Sequence, residues 1–179
     1  MAWTAPMTAV AGSVFTAAQF NTFVRDNLNE TAAAKATQVS SHFVGNGVNS
    51  IVERLAVVSD IATLETTASM SYTDLATPGP AVTATTGTRA MVFIRCAMEN
   101  TLANVSSFMT FEVSGSSTLA AADGSSIAFN GLSANSRERR SGMYMITTLT
   151  PGSNTFTAKY KVGNGTGTFL TRQLAVFPL

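Results

Sequence analysis

From Phe156 to Val162 the chain alternates without a break, with Phe156, Ala158, Tyr160 and Val162 on one side and Thr157, Lys159 and Lys161 on the other. Helical neighbours recur every three or four residues, so this period of two marks a half-buried strand. Gly163-Asn164-Gly165-Thr166-Gly167 has the residue types of a hairpin, and Phe169 to Phe177 returns as the last strand. Earlier in the chain, Phe108 to Val113 sets Met109, Phe111 and Val113 against Thr110 and Glu112. Met143 to Leu149 sets Met143, Met145 and Leu149 against Tyr144 and Ile146. Ala90 to Met98 is apolar on both faces except at Arg95, which suits a strand covered on both sides. A central place in a monomer and a core shared with neighbours in an oligomer account for that run equally well.

Strands at short spacing with turn residues between them and no second helix predict a mainly β fold. The expected form is an antiparallel β-sandwich of the jelly-roll kind over residues 42–179. Within it, residues 42–80 read as a connecting region. His42 to Val44 and Ile51 to Val58 are short extended segments around a Gly45-Asn46-Gly47 turn. Ser69 to Leu75 is a polar strand candidate, and Pro78-Gly79-Pro80 is a loop.

Ahead of this body, residues 1–41 carry one self-evident helix, Phe15 to Leu28. Thr16 and Gln19 have the spacing of a capping box, and Phe15 and Phe20 that of a hydrophobic staple. Phe20, Val24 and Leu28 recur every four residues with Phe23 beside them, opposite Asn21, Arg25 and Asp26. About three turns of helix with such a stripe are unstable alone in water. The stripe packs either on its own chain or on a partner. Its flanks, an aperiodic arm from Met1 to Ser13 and a linker rich in Ala, Thr and Ser from Asn29 to Ser41, have the layout of an attachment device. Trp3 in that arm reads as an anchor for a partner's pocket, since indole burial contributes strongly to binding.

Little in the chain points to chemistry. Cys96 is the single cysteine and sits in an apolar run, so no internal disulfide forms. His42 is the single histidine, at the start of a strand. The acidic residues are scattered singly, without the pairs that metal or acid–base sites use, and Asp123-Gly124 is turn chemistry. No cofactor, metal or catalytic role is expected. Only 12% of the 179 residues are charged and the net charge is +1, against roughly 25% charged in ordinary soluble domains. That balance argues against an electrostatic grip on nucleic acid or on an anionic membrane. No stretch reaches the roughly 18 apolar residues of a membrane span, and no secretory leader is evident, so synthesis in a cytosol is expected. Arg137-Glu138-Arg139-Arg140 is the one charge cluster. It reads as a solvated loop, with Arg137, Arg139 and Arg140 as possible surface contacts.

Trp3-Thr4-Ala5-Pro6, then Gly12 through Thr16-Ala17-Ala18 to Asn21, then Arg25-Asp26-Asn27-Leu28 resemble the N-terminal signature of small virion proteins of tailed bacteriophages. In these a W-T-P opening, a G-x-x-x-T-A-A-x-x-N core and an R-D-N-L close precede a variable β-rich body; here Ala5 stands between Thr4 and Pro6. The C-terminal part, Leu149 to Tyr160 and Gly165 to Phe169, is similar to phage jelly rolls related in shape to trimeric tumour-necrosis-factor-like modules. The resemblance implies a virion structural protein of the decoration, head-fibre or minor-tail type. It would be a homotrimer made in the bacterial host cytoplasm, with capsid or tail proteins as partners. Trp3, Pro6, Phe15, Phe20, Phe23, Val24 and Leu28 would then join it to the virion or to sister subunits. The alternative is a module for host-surface glycans or receptors, binding through loops such as Asn130 to Ser141 or Gly163 to Gly167.

Overall fold

The computed structural model describes residues 4–32, 36–48 and 50–179. The chain divides into two compact units, Met1–Arg54 and Leu55–Leu179. In the first, α1 (Ala17–Phe20) runs through a π-helical stretch, Asn21–Asp26, into α2 (Asn27–Ala32). The capping box is present in both directions. Gln19 N–H donates to Thr16 Oγ1 at 3.2 Å, and Thr16 N–H donates to Gln19 Oε1 at 2.9 Å. The Phe15 and Phe20 rings stack edge to face, 6.2 Å apart, which is the staple. Two strands follow, β1 (Ser41–Gly47) and β2 (Ser50–Leu55), paired in a sheet of their own. The Gly45-Asn46-Gly47 turn expected from sequence lies instead within β1, so that strand runs on through its glycines.

The second unit is a β-sandwich. Its strands are β3 (Val57–Ile61), β4 (Glu65–Thr67), β5 (Ala81–Thr86), β6 (Ala90–Asn100), β7 (Ser106–Gly115), β8 (Ile127–Asn130), β9 (Glu138–Ile146), β10 (Gly152–Val162) and β11 (Gly167–Pro178). One sheet has the order β5-β10-β7-β8. The other has the order β3-β11-β6-β9, with β4 also on β11, and every pairing is antiparallel. From β8 onward each connection crosses between the sheets, which is jelly-roll connectivity.

Several local readings need correction. The glycine-rich link Gly163 to Gly167 is no hairpin, because β10 and β11 lie in different sheets; both flanks of β11 are taken by β3 and β6. Turn glycines specify a reversal without specifying which strand receives the returning chain. Glu138 to Arg140 are strand residues opposite Met98, Ala97 and Cys96 rather than a loop. β9 stops at Ile146, so Leu149 is not on its face; it is buried separately, its N–H donating to Thr88 O at 3.0 Å. Thr110, read as solvent-facing, is wholly buried because residues 122–125 cover it, its hydroxyl meeting Ser125 O at 2.9 Å. Ser69 to Leu75 forms no full strand, only a bridge from Thr73 to Tyr160. β5 and β8, rich in small residues or very short, carry too little period to have been read.

The core fills the space between the sheets with Phe156, Ala158, Tyr160 and Val162 of β10, Val92, Ile94 and Met98 of β6, Leu174 and Val176 of β11, and Met109, Phe111 and Val113 of β7. Burial of each large side chain contributes about 1.5–3 kcal/mol. Asn154 continues the inward row of β10 and is fully buried, yet its amide is satisfied. Its Oδ1 accepts from Ser117 N–H at 2.7 Å, and its Nδ2 donates to Thr86 Oγ1 at 2.8 Å and Thr150 O at 3.0 Å. Asn154→Ala removes the partner of the buried Ser117 N–H and loosens Thr86 and Thr150, and is expected to lower unfolding stability by about 2 kcal/mol. A urea midpoint within error of the parent would contradict this.

Candidate functional site

Within the first unit, Thr4 and Asn27 are joined side chain to backbone. Thr4 N–H donates to Asn27 Oδ1 at 3.0 Å, and Asn27 Nδ2 donates back to Thr4 O at 2.8 Å and to Phe23 O at 3.1 Å. The arm is thereby clasped to the helix by a two-point contact across 23 residues. Of the proposed attachment residues, Trp3 lies outside the described residues. Pro6 and Phe15 are exposed, Phe20 and Leu28 are 48% and 64% exposed, and Phe23 and Val24 are half-buried. An apolar hollow of about 360 Å³ beside Phe15 is lined by Met7, Ala9, Val10 and Ser13. The stripe is therefore exposed at Phe20 and Leu28 and half-buried at Phe23 and Val24, which lie in the π-helical stretch.

The sandwich unit has two unlike outer faces. On the β5-β10-β7-β8 sheet, Lys159 pairs with Asp74 at 2.8 Å and Glu112 at 3.1 Å. Lys161 pairs with Asp123 at 2.6 Å and lies over the rings of Tyr72 and Phe108. This face is suited to water. Across the other sheet, the register aligns Phe177, Met91 and Met145 in one row and Val58, Ala175, Phe93 and Met143 in the next, all pointing away from the core. Met143, Val58 and Met145 are 61%, 58% and 54% exposed, and Phe93 and Phe177 stack edge to face at 5.4 Å. At these exposures the two rows present roughly 500 Å² of apolar surface, at the upper end of what a monomer normally shows. The next outward row, Asp60, Gln173, Arg95 and Ser141, is polar and ends the patch. Among the described residues of this unit, the outer face of Ala90 to Met98 is thus open at Phe93 and closed at Ala97.

The arginine run sits on β9 and just before it. Arg137 and Arg140 are neutralised by Glu99 at 2.9 Å and Glu138 at 3.0 Å. Arg139 donates to the Thr171 hydroxyl at 3.4 Å and, among the described residues, has no carboxylate within 4.0 Å. Cys96 is buried and its thiol is pushed up to about 12 by that burial, so it stays protonated at neutral pH. Among the described residues no three His, Cys, Asp or Glu side chains gather as metal ligands, and no helix is long and apolar enough to cross a membrane. What the geometry offers is surfaces for docking, and sequence reasoning reached the larger one only as one of two readings of Ala90 to Met98. Its signal was present in the two-sided apolarity of β6 and in Met143 and Met145.

These features define a jelly-roll sandwich with an uncovered apolar sheet face, preceded by a clasped arm and helix. No family model and no curated protein matches the chain. Among solved structures it is similar to a chain of infectious bursal disease virus, Gx strain, at 13% identity and a TM-score of 0.45, over 74% of this chain and 35% of that one. It is also similar to Eiger TNF from S. frugiperda at 8% identity and a TM-score of 0.44, over 70% of this chain and 92% of that one. The chain spans about a third of the length of the viral chain it matches.

Between helix and sandwich the chain is held at Glu53. Its carboxylate accepts from the N–H groups of Thr37 and Gln38 at 2.8 and 3.0 Å, and from the hydroxyls of Thr37 and Ser41. The Ser41 hydroxyl first, then that of Thr37, holds the Glu53 carboxyl down at about 2. Because the folded value is depressed, the grip is complete above the ordinary carboxylate range and is lost as pH falls through about 2. Protection of the Thr37 and Gln38 amides, corrected for intrinsic exchange, should hold from neutral pH to about pH 4 and then decay. Glu53→Ala should abolish it at every pH. Protection that survives in that variant would assign the order of this segment to something else.

Proposed function

We propose that this chain is a structural virion protein of a tailed bacteriophage, without a catalytic role. Its clasped arm and helix attach it to capsid or tail, and its sandwich assembles as a homotrimer through the apolar face of the β3-β11-β6-β9 sheet. The observation that carries this reading is the contrast between the two outer faces. One carries paired lysines and carboxylates; the other carries seven adjoining apolar side chains bordered by a row containing both Asp60 and Arg95. An interface of ordinary size needs about 800 Å² per partner, and the patch with its polar border approaches that. A border holding both signs of charge suits contact with copies of itself. The low charge content supports the same reading, since a subunit packed among neighbours needs less charged surface. So does the signature of Thr4, Pro6, Thr16, Asn21 and Asn27, whose opening and close meet in the clasp.

Light scattering at micromolar concentration should give three times the 18.7 kDa chain mass. Phe93→Glu with Met143→Glu should reduce that to one chain while leaving the far-ultraviolet spectrum unchanged, because both side chains point away from the core. A monomeric parent protein would overturn the assembly. Phe20→Asp with Leu28→Asp should leave the trimer intact and remove the protein from purified virions. If virions still carry it at full occupancy, the arm and helix are not the attachment.

A further inference from the structure

The geometry points to a binding site for a small oxyanion, a carboxylate or a sulfate- or phosphate-type ion, at the bulge in β11 where Arg95, Arg139 and Arg172 surround Thr171. Between Leu170 and Gln173 the pairing of β11 with β6 slips out of register. Thr171 is held there at a φ of 48°, a conformation that β-branched residues rarely adopt. Bulges and such strained residues concentrate at sites that hold something.

The next residue turns Arg172 into the sandwich, where it is fully buried. Its guanidinium donates to Thr77 O at 3.3 Å and Thr63 O at 3.0 Å and lies 5.6 Å from the Tyr160 ring centre, while Nε has no partner. Among the described residues no carboxylate comes within 4.0 Å of it. A guanidinium taken out of water is costly unless a counter-charge accompanies it. Arg95 repeats the pattern from the outer face. Its Nε is buried without a partner, and its nearest carboxylate, Asp60, stands 4.0 Å away and accepts instead from Gln173 Nε2 at 2.7 Å. Arg139, bonded to the Thr171 hydroxyl, adds a third cation. Among the described residues Asp60 is the one carboxylate within 4.0 Å of any of the three guanidinium groups, while Glu65 is engaged by Thr77, whose carbonyl accepts from Arg172.

A cleft of about 190 Å³ opens at this point, lined by Asp60, Ile61, Ala62, Arg95, Thr171 and Arg172. A tetrahedral oxyanion occupies roughly the volume of two or three waters, about 60–90 Å³, so the cleft admits one with its inner hydration. Arg95, 42% exposed, and Arg139 can turn their terminal donors to the ion in the forked geometry that carboxylate, sulfate and phosphate accept. Arg172 contributes its field from behind without touching it. Asp60 on the rim opposes binding, which gives the proposal a sign-specific test.

Calorimetric titration of the full chain at fixed ionic strength, with chloride as the balancing salt, would use sulfate, inorganic phosphate, acetate and glucuronate, with glucose as the uncharged control. Saturable binding of one ion per chain is expected, with a Kd of about 1 mM or below. Arg95→Gln should weaken it about tenfold and Asp60→Asn should tighten it several-fold, with ligand-free melting unchanged in both. Preference for sulfate and phosphate assigns a tetrahedral ion; preference for glucuronate and acetate assigns the carboxylate of an acidic sugar or of a protein partner. No saturable heat from any of the four, or equal affinity in the parent and both variants, would overturn the site. That failure would leave the proposed assembly untouched, since the apolar rows are not involved.

Discussion

The sandwich depends on two inward faces meeting dry. Along β10 the inward positions are Asn154, Phe156, Ala158, Tyr160 and Val162, and each is at most 1% exposed. They meet the inward rows of β6 and β11, where Val92, Ile94, Leu174 and Val176 continue the same layer. Asn154 and Arg172 are two of the polar side chains in this layer, and they differ in kind. Asn154 has its amide oxygen and nitrogen occupied, so it pins the chain ends of β5, β7 and β10 together at little net cost. Arg172 donates to Thr63 O and Thr77 O but keeps its Nε without a partner. Equal burial with unequal satisfaction is what sets the two side chains apart.

The outer faces obey the same logic at lower stakes. A lysine between two carboxylates, as at Lys159, is a side chain arranged for solvent, its stem packed along the sheet and its charge balanced. Met143, Met145 and Val58 have no such balance, and their exposure forgoes the burial free energy that comparable side chains gain inside. Nothing in the packing of the sandwich requires methionine there, since a strand face towards water accepts threonine, as Thr83 and Thr155 show on the other sheet. The packing of the sandwich thus leaves the choice of side chain on that face open, which is what the proposed assembly draws on.

Sequence conveyed most where the physics is local. The capping box of Thr16 and Gln19 and the Phe15–Phe20 staple were legible to the level of individual atoms, because their partners lie within five residues. The alternation of β10 was equally plain, since one face meets the core along its whole length. What stayed hidden depends on chain far away. Gly163 to Gly167 looks the same whether the next strand pairs with β10 or crosses to the other sheet. Thr110 reads as solvent-facing until residues 122–125 fold over it. Arg137 to Arg140 reads as a loop because charge runs usually are, and only pairing with β6 makes Glu138 to Arg140 a strand. For the apolar face the signal was visible but ambiguous, since period-two patterning records which face avoids water and not whether core or partner provides the shelter.

The arm and helix show how a short signature acquires a physical meaning. Thr4 and Asn27 stand 23 residues apart, and neither is unusual alone; joined, they close the arm onto the helix by two hydrogen bonds. A free arm of this length must lose much of its backbone freedom when it docks, roughly 1 kcal/mol or more for each residue that becomes fixed. In the proposed attachment, closing the loop beforehand would remove part of that cost before a partner is met and so favour binding without a new contact. The clasp also relates the exposed Pro6 and Phe15 to the exposed ends of the helical stripe, so that the apolar groups arrive together rather than in sequence. On this view the asparagine of the R-D-N-L close serves the opening of the signature, and the helix between them is the spacer that sets the distance.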